Sequence, residues 1–320
     1  MVAPVRIAWG NLTIGEWSGI VRDSIRSTLP QTFAYAQAML LTERQKSVIG
    51  VVERHDRPIG VVLGLRRKVM GMAEHVSIHR GPLLVEEART PEVMAATLHQ
   101  VRQHFPPGLT RWMVFTPELP ATEASFEMLR QARFRRTDGP GYRTAWLDLR
   151  KDEAQLRKNL RQKWRNRLNV AERAEAEGRL SVVMDLQARS LPELIHRYDA
   201  DRKARGYRGP SGPLLVRLRN GLQQTGEAIL LTAHIDDRLA AGILVLCHGM
   251  SATYQIGWTG LDGRQASATH LLLWRAVLHL RAKGYRWLDL GGLDPDRAPG
   301  VTLFKRGLGG EEVELAGTWV

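Results

Sequence analysis

The sequence holds a single cysteine, Cys247, in 320 residues. No disulfide can form within the chain, which suits a reducing compartment. Cys247 lies in the apolar run GILVLC, a packing position rather than that of a nucleophile. No apolar run nears the ~20 residues needed to span a bilayer. The opening MVAPVRIAWGNLT lacks a charged start leading into an apolar core, so no secretory signal is expected. Any membrane contact is then peripheral, and the expected location is the cytoplasm, with the inner membrane face as the place of such contact. HExxH, CxxC, GxSxG and P-loop motifs are missing, and His55, His75, His79 and His99 do not cluster. Neither a metal site nor a serine-hydrolase elbow is indicated. His75 and His79 flank a strand and read as surface residues. Lysine is scarce as well: the 46 basic residues include only eight lysines.

Arginine fills that gap. The net charge is +13 and the pI about 10.4. Guanidinium forks bind phosphate and carboxylate bidentately, so a polyanionic partner is expected. A codon bias towards arginine would account for the choice of residue equally well, but it does not remove the charge. Hydrophobic content of 43% with 25% charged residues fits a globular protein with real cores. The length allows one large domain or two ordinary ones.

The chain repeats itself. The stretch from Val48 reads strand, turn (His55-Asp56-Arg57-Pro58), returning strand. A strand near His75–His79, a helix from Pro91 to His104 with proline in its first turn, and the strand RWMVF (Arg111–Phe115) follow. The second half has a strand from Ala228, the turn Asp236-Asp237-Arg238, a returning strand, the strand ATYQIGW, a helix over Ala266–Lys283 ended by Gly284, and the strand RWLDL (Arg286–Leu290). The matching pieces lie roughly 175–180 residues apart, the sign of a duplicated domain rather than a solenoid. Strand–hairpin–helix–strand order suits a mixed α/β sheet flanked by helices. Asp138-Gly139-Pro140-Gly141 is the turn-rich break between the halves.

A helix is expected over Glu153–Glu177, with Leu156, Leu160, Trp164 and Leu168 as its buried stripe. Between Ala154 and Asn169 it carries Arg157, Lys158, Arg161, Lys163, Arg165 and Arg167 and no acid. The stretch reads either as a solvated face of snorkelling side chains or as a phosphate-binding ridge for nucleic acid. The missing acids favour the ridge.

The last stretch, RWLDLGGLDPDRAPGVTLFKRGLGGEEVELAGTWV, places one lysine, Lys305, between Phe304 and a run of glycines. It reads as a short strand, a proline-rich loop holding Phe304 and Lys305, and a last strand from Val313 to Trp319. Glycines let backbone and ligand approach closely, and the lysine can aim a positive charge into a narrow cleft. The run LDLGGL, the motif FKRGLGG and the ending AGTW resemble the C-terminal segment of the FemABX peptidyltransferases. LPQTFAYAQA and HRGPL are similar to that family's early helix and RGP turn. The resemblance implies two tandem GNAT-like domains, here 1–141 and 142–312, and allows a final strand over 313–320 to return to the first. It also implies transfer of an amino acid from aminoacyl-tRNA to an amine of an anionic cell-wall precursor peptide, UDP- or lipid-linked. No cofactor is then needed. Two departures stand out. Gln37 and Ala38 occupy the place where some members carry a lysine, and no inserted coiled-coil arm is present.

By resemblance, Lys305 is the catalytic residue, stabilising the tetrahedral oxyanion or the leaving 3′ oxygen. Substrate-binding positions implied with it are Phe304, Tyr254, Trp258 and, in YDADRKARGYR, Arg202, Arg205 and Tyr207. Candidate tRNA contacts are Arg157, Lys158, Arg161 and Arg165. The alternatives are N-acyl transfer from acyl-CoA, the same tRNA-dependent chemistry on a peptide outside the cell wall, and RNA binding without catalysis. A CoA donor needs a glycine-rich turn opening a helix. Only Gly260–Thr269 (GLDGRQASAT) offers one, whereas the first half places acids there. Asp289 and Asp294 neighbour Lys305 in sequence, but the sequence assigns neither as a base.

Overall fold

The computed structural model describes residues 4–10, 12–69 and 73–320; the first three residues and Asn11 of the N-terminal stretch read above lie outside it. The chain forms two units, each with its own sheet. One comprises Met1–Arg143, His248–Met250 and Val313–Val320, the other Thr144–Cys247 and Ser251–Glu312.

The first unit runs β1 (Val5–Trp9), α1 (Ile14–Asp23), α2 (Phe33–Glu43), β2 (Lys46–Arg54), β3 (Arg57–Val69), β4 (Ala73–Gly81), β5 (Leu83–Leu84), α3 (Pro91–His104), β6 (Arg111–Pro117) and α4 (Glu123–Gln131). Its helices start on side-chain caps: Thr13 and Glu16 form a capping box on α1, while Thr90 caps α3 ahead of proline. The sheet order is β1-β2-β3-β4-β6, with β5 on β3. β4 and β6 are parallel over seven pairs, from Glu74↔Arg111 to Gly81↔Pro117. One apolar layer is built on Val62, Ile78, Leu98 and Phe115 and takes in Trp319 from the chain's end. Sequence reading expected a continuous strand to Trp319. Instead residues 315–319 make isolated bridges, Leu315 with Pro120 and Trp319 with Phe115 and Arg136. His79 is not the surface residue expected: it is half-buried, its Nδ1 3.0 Å from the Thr116 hydroxyl.

The second unit runs β7 (Arg143–Asp148), α5 (Glu153–Asn159), α6 (Gln162–Ala176), β8 (Ser181–Asp185), α7 (Leu191–Arg205), α8 (Gly212–Leu222), β9 (Gly226–Ile235), β10 (Arg238–His248), β11 (Ser251–Thr259), α9 (Leu261–Gln265), α10 (Ala268–Ala282), β12 (Trp287–Asp289), α11 (Pro299–Arg306) and β13 (Glu311–Glu314). The sheet order is β13-β7-β12-β11-β10-β9-β8. Leu156, Leu160, Trp164 and Leu168 are buried in its core with Cys247. β11 and β12 pair in parallel only at Ser251↔Trp287, Ala252↔Leu288 and Thr253↔Asp289. Beyond Thr253, β11 runs on to Thr259 without β12 beside it, so the sheet opens there.

Two expectations are corrected. The helix over 153–177 is two helices, because Leu160 and Arg161 have extended backbone (ψ 132° and 145°). Arg165 Nη2 donates to the carbonyls of Lys158 and Leu160, closing the end of α5, and Arg161 N donates to Gly307 O. Phe304 and Lys305 lie not in a loop but in α11, which Pro299 opens in its first turn. Among the described residues no helix is long and apolar enough to cross a membrane.

Candidate active site

The face that α11 buries is polar. Thr302 and Lys305 are its buried residues, while Val301 and Leu303 are 51% and 62% exposed. Packing alone would turn such a helix the other way. Such a broken local rule is expected at functional or strained sites. Lys305 Nζ donates to Gly292 O at 2.8 Å and lies 5.7 Å from the Tyr254 ring centre. Burial pushes its pKa down to about 8, and the Asp289 carboxylate opposes the fall. The amine is therefore mostly charged at neutral pH. An ammonium carries three N–H donors, and among the described residues only Gly292 O takes one.

The turn after β12 holds the lysine in place. Gly291 has φ +70°, and a Cβ there would lie 3.2 Å from Tyr254 O and 3.5 Å from Lys305 Nζ. A side chain would be strained and would crowd the amine. Asp289, 1% exposed, accepts from Gly291 N at 2.8 Å and from the Thr144 hydroxyl on β7. Asp294 stays with its own loop, accepting from Arg297 N at 2.9 Å.

Aromatic rings surround Phe304. His270 meets it edge-on at 5.0 Å, Trp164 lies 6.1 Å away and Tyr254 6.5 Å. Burial, with Arg167 nearby, holds the His270 pKa down to about 4, so the ring is neutral at physiological pH. Burial raises the Tyr254 phenol, which stays protonated. Trp164 Nε1 and His270 Nδ1 are buried with no partner among the described residues. The lysine thus stands as a cation beside a neutral, buried aromatic wall of low dielectric, where its field on a developing oxyanion is stronger than in water. Sequence reading placed Trp164 in a core stripe and did not single out His270, Thr144 or Gly292. The one available signal was Asp289, a charge inside the apolar strand WLDL.

The other sequence-derived positions fall into two groups. At the end of α7, Arg202 pairs with Asp199 and Arg205 with Asp201, at 3.0 and 2.8 Å. Tyr207 donates to Asp201 and packs against Tyr198, ring centres 6.1 Å apart. The Trp258 ring lies 5.7 Å from the Arg197 guanidinium. The basic stretch is divided. Arg157 grips Glu172 through both Nη atoms and reaches Asn169. The acid missing from 154–169 is thus supplied by α6, folded back by the break at Leu160. Arg165 is spent on the α5 carbonyls. Lys158 and Arg161 are exposed with no side-chain partner among the described residues, as are Lys163 and Arg167.

The turn between β11 and α10 does not fit a pyrophosphate. The helix α9 fills it, and a Cβ on Gly263 would meet Ala240 O at 2.2 Å, so that glycine serves close packing on β10. The hydroxyls of Ser267 and Thr269 are buried away from solvent.

Residues 154–306 match a family model described as an acetyltransferase (GNAT) domain. Among solved structures, FemX superposes with a TM-score of 0.80 at 15% identity, covering 98% of this chain and 96% of that one. A conserved protein of unknown function from Bacteroides thetaiotaomicron gives a TM-score of 0.62 at 12% identity, with 98% of each chain covered. A tandem GNAT protein from the clavulanic acid biosynthesis pathway gives 0.52 at 16%, again with 98% of each covered. No curated protein matches the sequence. The fold is that of two tandem GNAT-like units, FemABX-like in architecture.

Proposed function

We propose that this protein is a FemABX-type aminoacyltransferase, which moves an amino acid from aminoacyl-tRNA to an amine of a peptidoglycan precursor peptide. The observation that carries the reading is Lys305, buried where β11 and β12 part, with donors to spare. An acceptor amine attacks the ester carbonyl of the aminoacyl-tRNA, and the carbonyl electrons move onto oxygen. The tetrahedral oxyanion then collapses, expelling the 3′ oxygen of the tRNA, which takes up the proton that the attacking amine gives up. The Lys305 ammonium stabilises the negative charge on the carbonyl oxygen or on the leaving oxygen. The rest of the catalysis is holding two large substrates together. Arg202, Arg205, Tyr207, Tyr254, Phe304 and Trp258 are assigned to the anionic acceptor and the aminoacyl end. Lys158 and Arg161 are assigned to tRNA phosphates. No resident cofactor is required, the work is done in the cytoplasm, and membrane contact is peripheral where the precursor is lipid-linked.

The test is incubation with charged tRNAs and with UDP- and lipid-linked precursors, read by the mass added to the peptide. A gain of one aminoacyl residue, dependent on intact aminoacyl-tRNA, is expected. A second reading, N-acyl transfer from acyl-CoA, is favoured by the GNAT family match. Heat of CoA binding in calorimetry, with acyl transfer from acyl-CoA and none from aminoacyl-tRNA, would replace the first reading by the second.

A further inference from the structure

We infer that Asp289 is a positioning residue for Lys305: it pins the turn that holds the amine and sets a negative charge behind it. The inference rests on the role proposed above for Lys305. A carboxylate with 1% exposure in the last position of a three-residue strand is costly unless its neighbours repay it. Two of its bonds go to the turn and to the next strand, from Gly291 N and from the Thr144 hydroxyl. The same hydroxyl also lies 3.1 Å from Gly291 O. The turn is therefore pinned at Gly291 N, and its next carbonyl, Gly292 O, receives Lys305 Nζ. Loss of the pin frees the carbonyl that aims the amine.

The charge matters separately. Nζ meets the Tyr254 ring from β11 and the Gly292 carbonyl from the turn, and Asp289, held on that same turn, is near enough to favour the charged amine. His270 of α10 is neutral and meets Phe304, and Arg306, next on α11, is paired with Glu312. Asp289 is the anion among them. Burial works against the cation and Asp289 works for it, so the carboxylate keeps the lysine able to stabilise an oxyanion at neutral pH.

The test reads the protonation of Lys305 directly, by competitive acetylation with acetic anhydride across pH and mass analysis of the peptide containing it. In the natural protein the midpoint is expected near pH 8. Asp289→Asn keeps the size and an acceptor for Gly291 N but removes the charge, so the midpoint should fall by about one pH unit or more. A cationic Lys305 loses its proton, and with it activity, as pH rises. The alkaline limb of kcat/KM should therefore move to lower pH by the same amount, with kcat affected more than the KM for the acceptor. A folded Asp289→Asn protein whose Lys305 midpoint is unmoved overturns the inference. If that variant does not fold, carboxyl 13C NMR of the natural protein decides. The Asp289 Cγ resonance should inflect with the lysine and lose that inflection in Lys305→Met, and a natural protein without the inflection overturns the inference. Neither the acetylation nor the NMR readout needs transfer activity, so a failure of the aminoacyl-tRNA reading is seen separately.

Discussion

The two units solve the same problem in opposite ways: where neighbouring strands diverge, backbone groups lose their partners and something must replace them. In the first unit, β3 and β4 part beyond Gly64↔Ile78. There the fully buried Gln31 accepts from Leu63 N and donates to Leu63 O and His79 O. Its β4–β6 edge is paired along its length. In the second unit β11 and β12 separate after three pairs, and the gap is met by Tyr254 and by a lysine that uses one donor. A neutral amide with its bonds satisfied stabilises a fold. A buried cation with unused donors costs stability and waits for a negative charge. On the function proposed above, the first opening serves support and the second serves chemistry.

The largest effect expected from that division is at Lys305. Lys305→Met should lower kcat by ~10²–10³-fold at saturating substrates, as the loss of one oxyanion donor does. Lys305→Arg should restore only part, since a planar fork cannot take the place of a compact ammonium. Stability should change little. The folded pKa, about 8, lies below the ordinary lysine value of 10.5. Protonating this group below pH 8 therefore opposes folding, and the penalty fades as pH rises from 8 to 10.5. The methionine variant escapes that penalty but leaves Asp289 buried without its cation and Gly292 O without its donor, so at pH 7 it should melt near the natural temperature. Near-natural turnover, or a large drop in melting temperature, would break the assignment of chemistry to this opening.

The converse substitution is Gln31→Ala. It strands three buried backbone groups, Leu63 N, Leu63 O and His79 O, and should destabilise the protein by about 2–3 kcal/mol. Turnover per folded molecule should be unchanged. Denaturant unfolding measured alongside kcat checks both. If Gln31→Ala slowed turnover as much as Lys305→Met does, the first opening would also belong to the chemistry.

How far the sequence showed this depends on whether the signal was local. The order of strands and helices was legible because apolar runs and turn residues mark each element. The lysine was legible because a charge between an aromatic residue and glycines has no packing reason. The break at Leu160 was not, because Leu156, Leu160 and Trp164 keep their four-residue spacing across it; the carbonyls it frees are met by Arg165, which carries no sequence mark of that role. The short pairing of β11 with β12 was also hidden, since strand length says nothing of how far a neighbour follows. The inward turn of Lys305 depends on Gly292 O, a backbone atom without any side-chain mark. Glu172, the partner of Arg157, was missed because the fold, not helical spacing, brings it there.

That last correction sharpens the smallest of the expected effects. The break turns a run of six basic residues into two sets. Arg157 and Arg165 are tied into the fold, whereas Lys158, Arg161, Lys163 and Arg167 are exposed and have no side-chain partner among the described residues. Only the second set can meet phosphates without first breaking an internal bond. Each phosphate contact releases counterions and contributes to the slope of log K against log salt. Changing the four exposed residues to alanine should flatten that slope by up to about 3 and weaken tRNA binding about tenfold at low salt. The double variant Arg157→Ala/Arg165→Ala should leave the slope where it was and lower the melting temperature instead, because it removes a bidentate ion pair and the cap on α5. Filter binding across a salt series, with thermal unfolding of the same samples, gives both numbers. If the double variant flattens the slope and the quadruple one does not, the paired arginines are the phosphate ligands, and the division drawn from the break is wrong.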